Sequence, residues 1–189
     1  MRGGVASCCL ALTTAGWATA LNAHHSISMV EISTPVWVKG TVVEFHARDP
    51  HVMVLLQAEA SDGSPQKWNI EGPNMARLAR MGADGNFLKP GDAIEVCGFR
   101  LKPPYTKPDF IHGQVLVMSS GHMRHFGPYG KLDNCIRPGD TTEKWVRFLR
   151  EDPLALPSWC NGRLYVRVPT VAPPALVEAI ERELQNPCH

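Results

Sequence analysis

The chain has 189 residues and a formal net charge of +1, with 19 Lys and Arg against 18 Asp and Glu. Such a balance offers no basic footprint for neutralising phosphates, so nucleic acid is excluded as the expected partner. The length suits one domain, or one domain with an appendage.

Arg2 is the only charged residue before Glu31, and Val5 to Leu21 is dominated by apolar and small residues. A basic start, a short apolar run and small residues at the exit make a secretory leader. Two exits fit: one after Ala18-Thr19-Ala20, and one after Leu21-Asn22-Ala23. The second defines residues 1–23 as the leader and makes His24 the first mature residue. The apolar run is shorter than the ~20 residues of a membrane span. The mature protein is therefore expected in the periplasm or secreted, with no transmembrane segment.

Val36 to Phe45 reads as a first strand, rich in β-branched and aromatic residues, with Gly40 marking a bulge or bend. Asp49-Pro50 turns into a second strand, His51 to Ala58, and Ser61-Asp62-Gly63-Ser64 is a hairpin signal before a third, Gln66 to Glu71. Asn74 suits the cap of a short helix carrying Met75, Leu78 and Met81, stopped at Gly82. Two further strands follow, Ala93 to Phe99 and Ile111 to Met118. Five strands with one short helix between the third and fourth is the order of an OB-like barrel, here residues 24–120 of a mainly β protein.

Residues 121–189 change character and read as a C-terminal α+β appendage. Asp140 and Glu143 predict a helix start, with Trp145, Phe148 and Leu149 on one face. Arg163 to Val168 alternates like a strand, and Pro173-Pro174 opens a helix bearing Leu176, Ile180 and Leu184. Cys8 and Cys9 leave with the leader. The remaining Cys97, Cys135, Cys160 and Cys188 predict two disulfides that fasten the appendage, with three pairings open. Strand alternation turns Cys97 away from the barrel interior.

Ala23-His24-His25-Ser26, Asp49-Pro50-His51, Trp68-Asn69-Ile70-Glu71 and Leu88-Lys89-Pro90-Gly91-Asp92 occur in that order. Over residues 23–120 the chain thereby resembles an exported bacterial family of unknown function. The family's pattern has Asn-Pro-His where this chain has Asp49-Pro50-His51. The resemblance implies an exported β-barrel and no activity.

The chemistry concentrates on histidine. With His24 first, its α-amine and imidazole Nδ1 can chelate one metal ion, and His25 or His51 supplies a third nitrogen. Such nitrogens suit Cu(II), which leads the divalent first-row series in affinity. Pro50 fixes the approach to His51, and Glu71, with Asp49 nearby, is the expected outer-shell acceptor for its ring. The competing reading makes His24 and His25 a mobile terminus and His51 an ordinary histidine tied to Glu71. His122 and His125 form a second candidate pair, although Gly121, Gly127 and Pro128 argue for a loop. His46, His112 and His189 are isolated and take no role. No nucleophile elbow, zinc-protease motif or phosphate-cradling loop is present, so no enzyme is expected. A carbohydrate or hydrolytic site around Trp68, Glu71 and His51 would need an open cleft there. The expected function is non-enzymatic binding of Cu(II) or a similar ion; the alternative is a metal-free module contacting envelope proteins through barrel loops and the appendage.

Overall fold

The computed structural model describes residues 27–128, 130–164 and 169–188. It is mainly β, with a six-stranded sheet: β1 (Val30–His46), β2 (Met53–Glu59), β3 (Pro65–Glu71), β4 (Ala93–Leu101), β5 (Phe110–Met118) and β6 (Met123–His125). The sixth strand corrects the expected count of five. Met123–His125 sits among turn residues, yet it pairs antiparallel with β5, Val115 opposite His125.

The order across the sheet is β3-β2-β1-β4-β5-β6, and β3 also pairs with β5 in parallel, Ile70 opposite Ile111. The ladder of β1, β2, β3, β5 and β4 therefore returns on itself. One edge of β5 is shared in succession: Phe110 to His112 faces β3, and Val115 to Val117 faces β6. Between them the register against β4 shifts, from Gly98 opposite Gly113 to Cys97 opposite Val115. Gln114 is the extra residue of this bulge, the device by which a strand bends to change partner.

The irregularity expected at Gly40 lies instead between Val42 and Glu44. Gly40 has a different role: a Cβ there would run into the backbone carbonyl of Gln57 on β2. The strand needs glycine for this close approach to its neighbour. The Ser61–Ser64 segment is the hairpin its sequence predicts, with Gly63 at φ 81°.

Strand alternation divides the apolar residues into two cores. Val54, Leu56, Trp68, Ile70, Val96, Ile111 and Leu116 fill the inside of the strand circuit, covered at one end by Leu78 and Met81. The helix α1 (Met75–Arg80) carries Leu78, and Asn74 Oδ1 accepts from Arg77 N–H at 2.8 Å at its start. Cys97, Phe99 and Val115 point to the other side, where they join Val30, Trp145, Leu149, Trp159, Val177 and Ile180 in the second core.

The C-terminal part supplies that second core from three helices, α2 (Thr142–Glu151), α3 (Ala155–Leu164) and α4 (Pro174–Glu183). This corrects the expected helix, strand, helix order. Arg163 and Leu164 end α3, and the rest of the segment read as a strand lies outside the described residues. In α2, Trp145, Phe148 and Leu149 are buried together. Its cap is Thr141, whose hydroxyl accepts from Lys144 N–H at 3.2 Å, one residue later than expected. Asp140 is used otherwise, accepting from Trp145 Nε1–H at 3.1 Å and from Lys144 Nζ at 2.6 Å.

Two disulfides resolve the open pairing: Cys97 with Cys135, and Cys160 with Cys188. The first joins β4 to the C-terminal part, and the second ties α3 to the chain end. Both disulfides point to an oxidising compartment. The first closes a span of 38 residues, worth about 4 kcal/mol in the chain-entropy treatment. The double variant Cys97→Ala/Cys135→Ala is expected to lose stability of that order in urea denaturation. A loss below about 1 kcal/mol would show that packing alone holds the two cores together.

Candidate functional site

The loop before β2 and the segment after β3 are locked together by backbone. Val52 N–H donates to Pro73 O, and Gly72 N–H to Val52 O, each at 2.8 Å. Gly72 has no space for a side chain, because the Phe126 ring and Val52 occupy it. The Asp49 carboxylate accepts from Met75 N–H at 3.1 Å and pins the turn to the start of α1. That contact is where the structure places Asp49; the partner of His51 is Glu71.

His51 Nδ1 lies 2.5 Å from Glu71 Oε1. His112 Nδ1 lies 3.5 Å from the same oxygen. An ionised carboxylate only accepts, so a ring nitrogen hydrogen-bonded to Glu71 donates to it. The side chains of His51 and Glu71 are 24% and 17% exposed, and that of His112 only 7%. The Phe110 ring packs edge-on against His112, with centroids 5.1 Å apart. None of His51, Glu71 and His112 is without a partner. His112 was invisible in the sequence because its neighbour is Glu71, 41 positions earlier; the parallel pairing of β3 with β5 makes them adjacent. His24 and His25 lie outside the described residues.

The second candidate pair is not brought together. A three-residue step along an extended segment sends two side chains to opposite faces. His122 is exposed, 3.7 Å from Glu151 Oε2, whereas His125 is fully buried. His125 Nδ1 is 3.2 Å from Arg77 Nη2, which also donates to Ser158 Oγ at 3.0 Å. Its backbone N–H donates to Asp152 Oδ2 at 2.9 Å, and the Arg124 Nε lies 3.3 Å from that same oxygen. These five residues come from α1, β6, the end of α2 and α3, a clustering that no spacing in the chain announces.

Trp68 is 7% exposed inside the strand circuit, and the Arg100 guanidinium lies over its ring at 4.9 Å. It is no open platform for a sugar. Among the described residues, no three or more His, Cys, Asp or Glu side chains are arranged to hold a metal ion, and no helix is long and apolar enough to cross a membrane.

Residues 12–107 match the model of a family of unknown function (DUF6152). The chain belongs to this family. The matched span includes Ala23 to Ser26, Asp49 to His51, Trp68 to Glu71 and Leu88 to Asp92. No curated protein matches the chain. Among solved structures, it is similar to the mitochondrial single-stranded DNA binding protein Rim1 from S. cerevisiae, with 11% identity over 46% of this chain and 94% of that one. The TM-score is 0.35, too loose a likeness to carry an argument.

In this member of the family, burial and then the Arg77 charge push the His125 imidazole down to about 3. The ring is neutral, so Nδ1 accepts from Arg77 and Nε2 bears the proton, without a hydrogen-bond partner among the described residues. An imidazole depressed in this way favours the folded state above its ordinary value of ~6.5. As pH falls from there toward 3, the unfolded chain takes up a proton the folded one refuses. About 1.4 kcal/mol is lost per pH unit. Urea midpoints measured between pH 7.5 and 4.5 are expected to fall more steeply for the wild type than for His125→Asn. Parallel curves would show that this ring is not kept neutral by the fold.

Proposed function

We propose that this protein is an exported, periplasmic, non-enzymatic binding module that holds Cu(II) or a similar ion at the strand end bearing His51. In this reading the strand circuit is an OB-like barrel, and residues 121–189 are its appendage. The observation that carries the proposal is the 2.5 Å contact of His51 Nδ1 with Glu71. A carboxylate on one imidazole nitrogen fixes the tautomer and makes the other nitrogen a better ligand. Removal of the leader before His24 adds an α-amine and the His24 and His25 rings. All four mature cysteines are in disulfides, which leaves nitrogen as the main donor type. Nitrogen donors rank Cu(II) first among divalent first-row ions.

The alternative, a metal-free module contacting an envelope protein, draws on a groove of about 660 Å³ between the ends of β4 and β5 and the start of α2. Lys39, Glu95, Arg137, Lys144 and Arg147 line it, a charged surface suited to a polar partner.

The test begins with mass spectrometry of the exported N-terminus, expected to start at His24. Cu(II) titration then compares that protein with a version carrying one extra Met before His24. Binding is expected to be at least about tenfold weaker in the extended form, and to weaken below pH ~6 as imidazoles protonate. Equal affinities would remove the α-amine from the site. Absence of Cu(II) binding by both, with no metal in the gently purified protein, would leave the metal-free module.

A further inference from the structure

We propose that the groove between the sheet and the start of α2 binds a small amphiphilic carboxylate, its charge at Arg147 and its apolar body on the floor at Ala93 and Val117. Neither His51 nor Glu71 lines this groove, and the inference stands apart from the metal reading. It gives the groove a small-molecule ligand in place of a protein partner.

Strand register places the groove. Lys39 lies opposite Glu95, and Glu95 opposite Val117, so the three form one row across β1, β4 and β5. Directly opposed residues share a face of a sheet. Two residues along the strands, the row of Trp37, Cys97 and Val115 belongs to the second core. Past that core the same face emerges beside the first turns of α2, and a cleft of about 660 Å³ opens there. Small-molecule sites span roughly 300–1,000 Å³. Ala93, Ile94, Val117 and Met118 give it an apolar lining, with charged side chains around them.

Surface ion pairs in which each cation has its own carboxylate ask for no ligand. This network is not closed in that way. Glu95 is shared by Lys39 at 3.6 Å and Arg137 at 2.8 Å. Asp140 is shared by Lys144 at 2.6 Å and Arg137 Nε at 3.9 Å. Two carboxylates thus serve three cations, and the series begins and ends on a lysine. Glu143 and Arg147, four residues apart on α2, also line the groove, and neither has an ion pair among the described residues. One positive charge is left in excess, and a single carboxylate balances it. Arg137 is already held, its guanidinium 4.2 Å over the Trp37 ring and its Nη2 on Glu95, so little ordering is lost when a ligand arrives. Arg147 is exposed, and its planar fork is the group that meets a carboxylate with two parallel N–H donors. The apolar floor favours this ligand over an inorganic anion, which gains nothing from burying apolar surface. The cationic rim favours it over a neutral apolar molecule.

The experiment titrates the exported protein with octanoate, followed by calorimetry and by amide chemical shifts. Octanoate is expected to saturate one site per chain and to bind at least about tenfold more tightly than either acetate or octanol. From butanoate to octanoate, affinity is expected to rise about twofold for each methylene. The amides of Glu95, Val117 and Lys144 should shift with the same saturation curve. Arg147→Gln, at an exposed residue without an ion pair, is expected to keep the melting temperature and to weaken octanoate about tenfold, with octanol unaffected. Octanoate that binds the variant as well as the wild type, that shows no preference over octanol, or that shifts amides away from the groove overturns the inference. So does a wild type that binds no octanoate at millimolar concentration. Cu(II) binding is measured on the same protein, and none of these results alters it, so the carboxylate site and the metal reading fail separately.

Discussion

Three residues of parallel pairing, Asn69 to Glu71 against Phe110 to His112, hold the architecture together. Without that contact the sheet would be an open ribbon, and β3 would present an unpaired edge, the hazard that exposed strands carry. With it, the circuit encloses Val54, Ile70, Val96 and Ile111. Parallel strands cannot be joined by a tight turn, so α1, β4 and their loops form the connection between β3 and β5. The same pairing sets Glu71 beside His112, so closing the core and bringing these two side chains together are one event.

Closure on one half of β5 leaves its other half available, and β6 takes it. The bulge at Gln114 lets the strand turn from one neighbour to the next, and the glycines around it make room. A Cβ on Gly98 would meet the His112 carbonyl, and one on Gly127 would meet the Gly113 carbonyl. Beyond this point the chain leaves the sheet and builds the second core on its outer side. Cys97 and Cys135 bond inside that core, and both are fully buried. The disulfide therefore reinforces an apolar contact that already exists.

Between the two cores runs a polar seam. The Asp152 side chain has no exposed surface, yet it accepts from the backbone N–H groups of His125 and Leu154 and faces the Arg124 guanidinium. A buried carboxylate is tolerable only with its oxygens occupied in this way. His125 takes the opposite course and stays neutral beside Arg77. The seam is a geometric clasp between α1, β6 and the helices, and its pieces are useful only when all are present.

Much of the local structure could be read directly. Trp68 and Ile70 alternate with Asn69 and Glu71 in β3, Asn74 caps α1, and Trp145, Phe148 and Leu149 share a face of α2, because each depends on residues a few positions apart. The sixth strand could not be read, since Met123–His125 is too short to show a period among its turn residues. Arg163 and Leu164 alternate as a strand would, but burial of Trp159 and the bond between Cys160 and Cys188 hold them in a helix. Sequence by itself determined the strands up to Met118, the hairpin at Gly63 and the presence of two disulfides. Only the tertiary structure decided which cysteines meet, that His122 and His125 part company, and that His112 shares Glu71 with His51. Propensity and periodicity act over a few residues, whereas strand closure joins positions some forty residues apart.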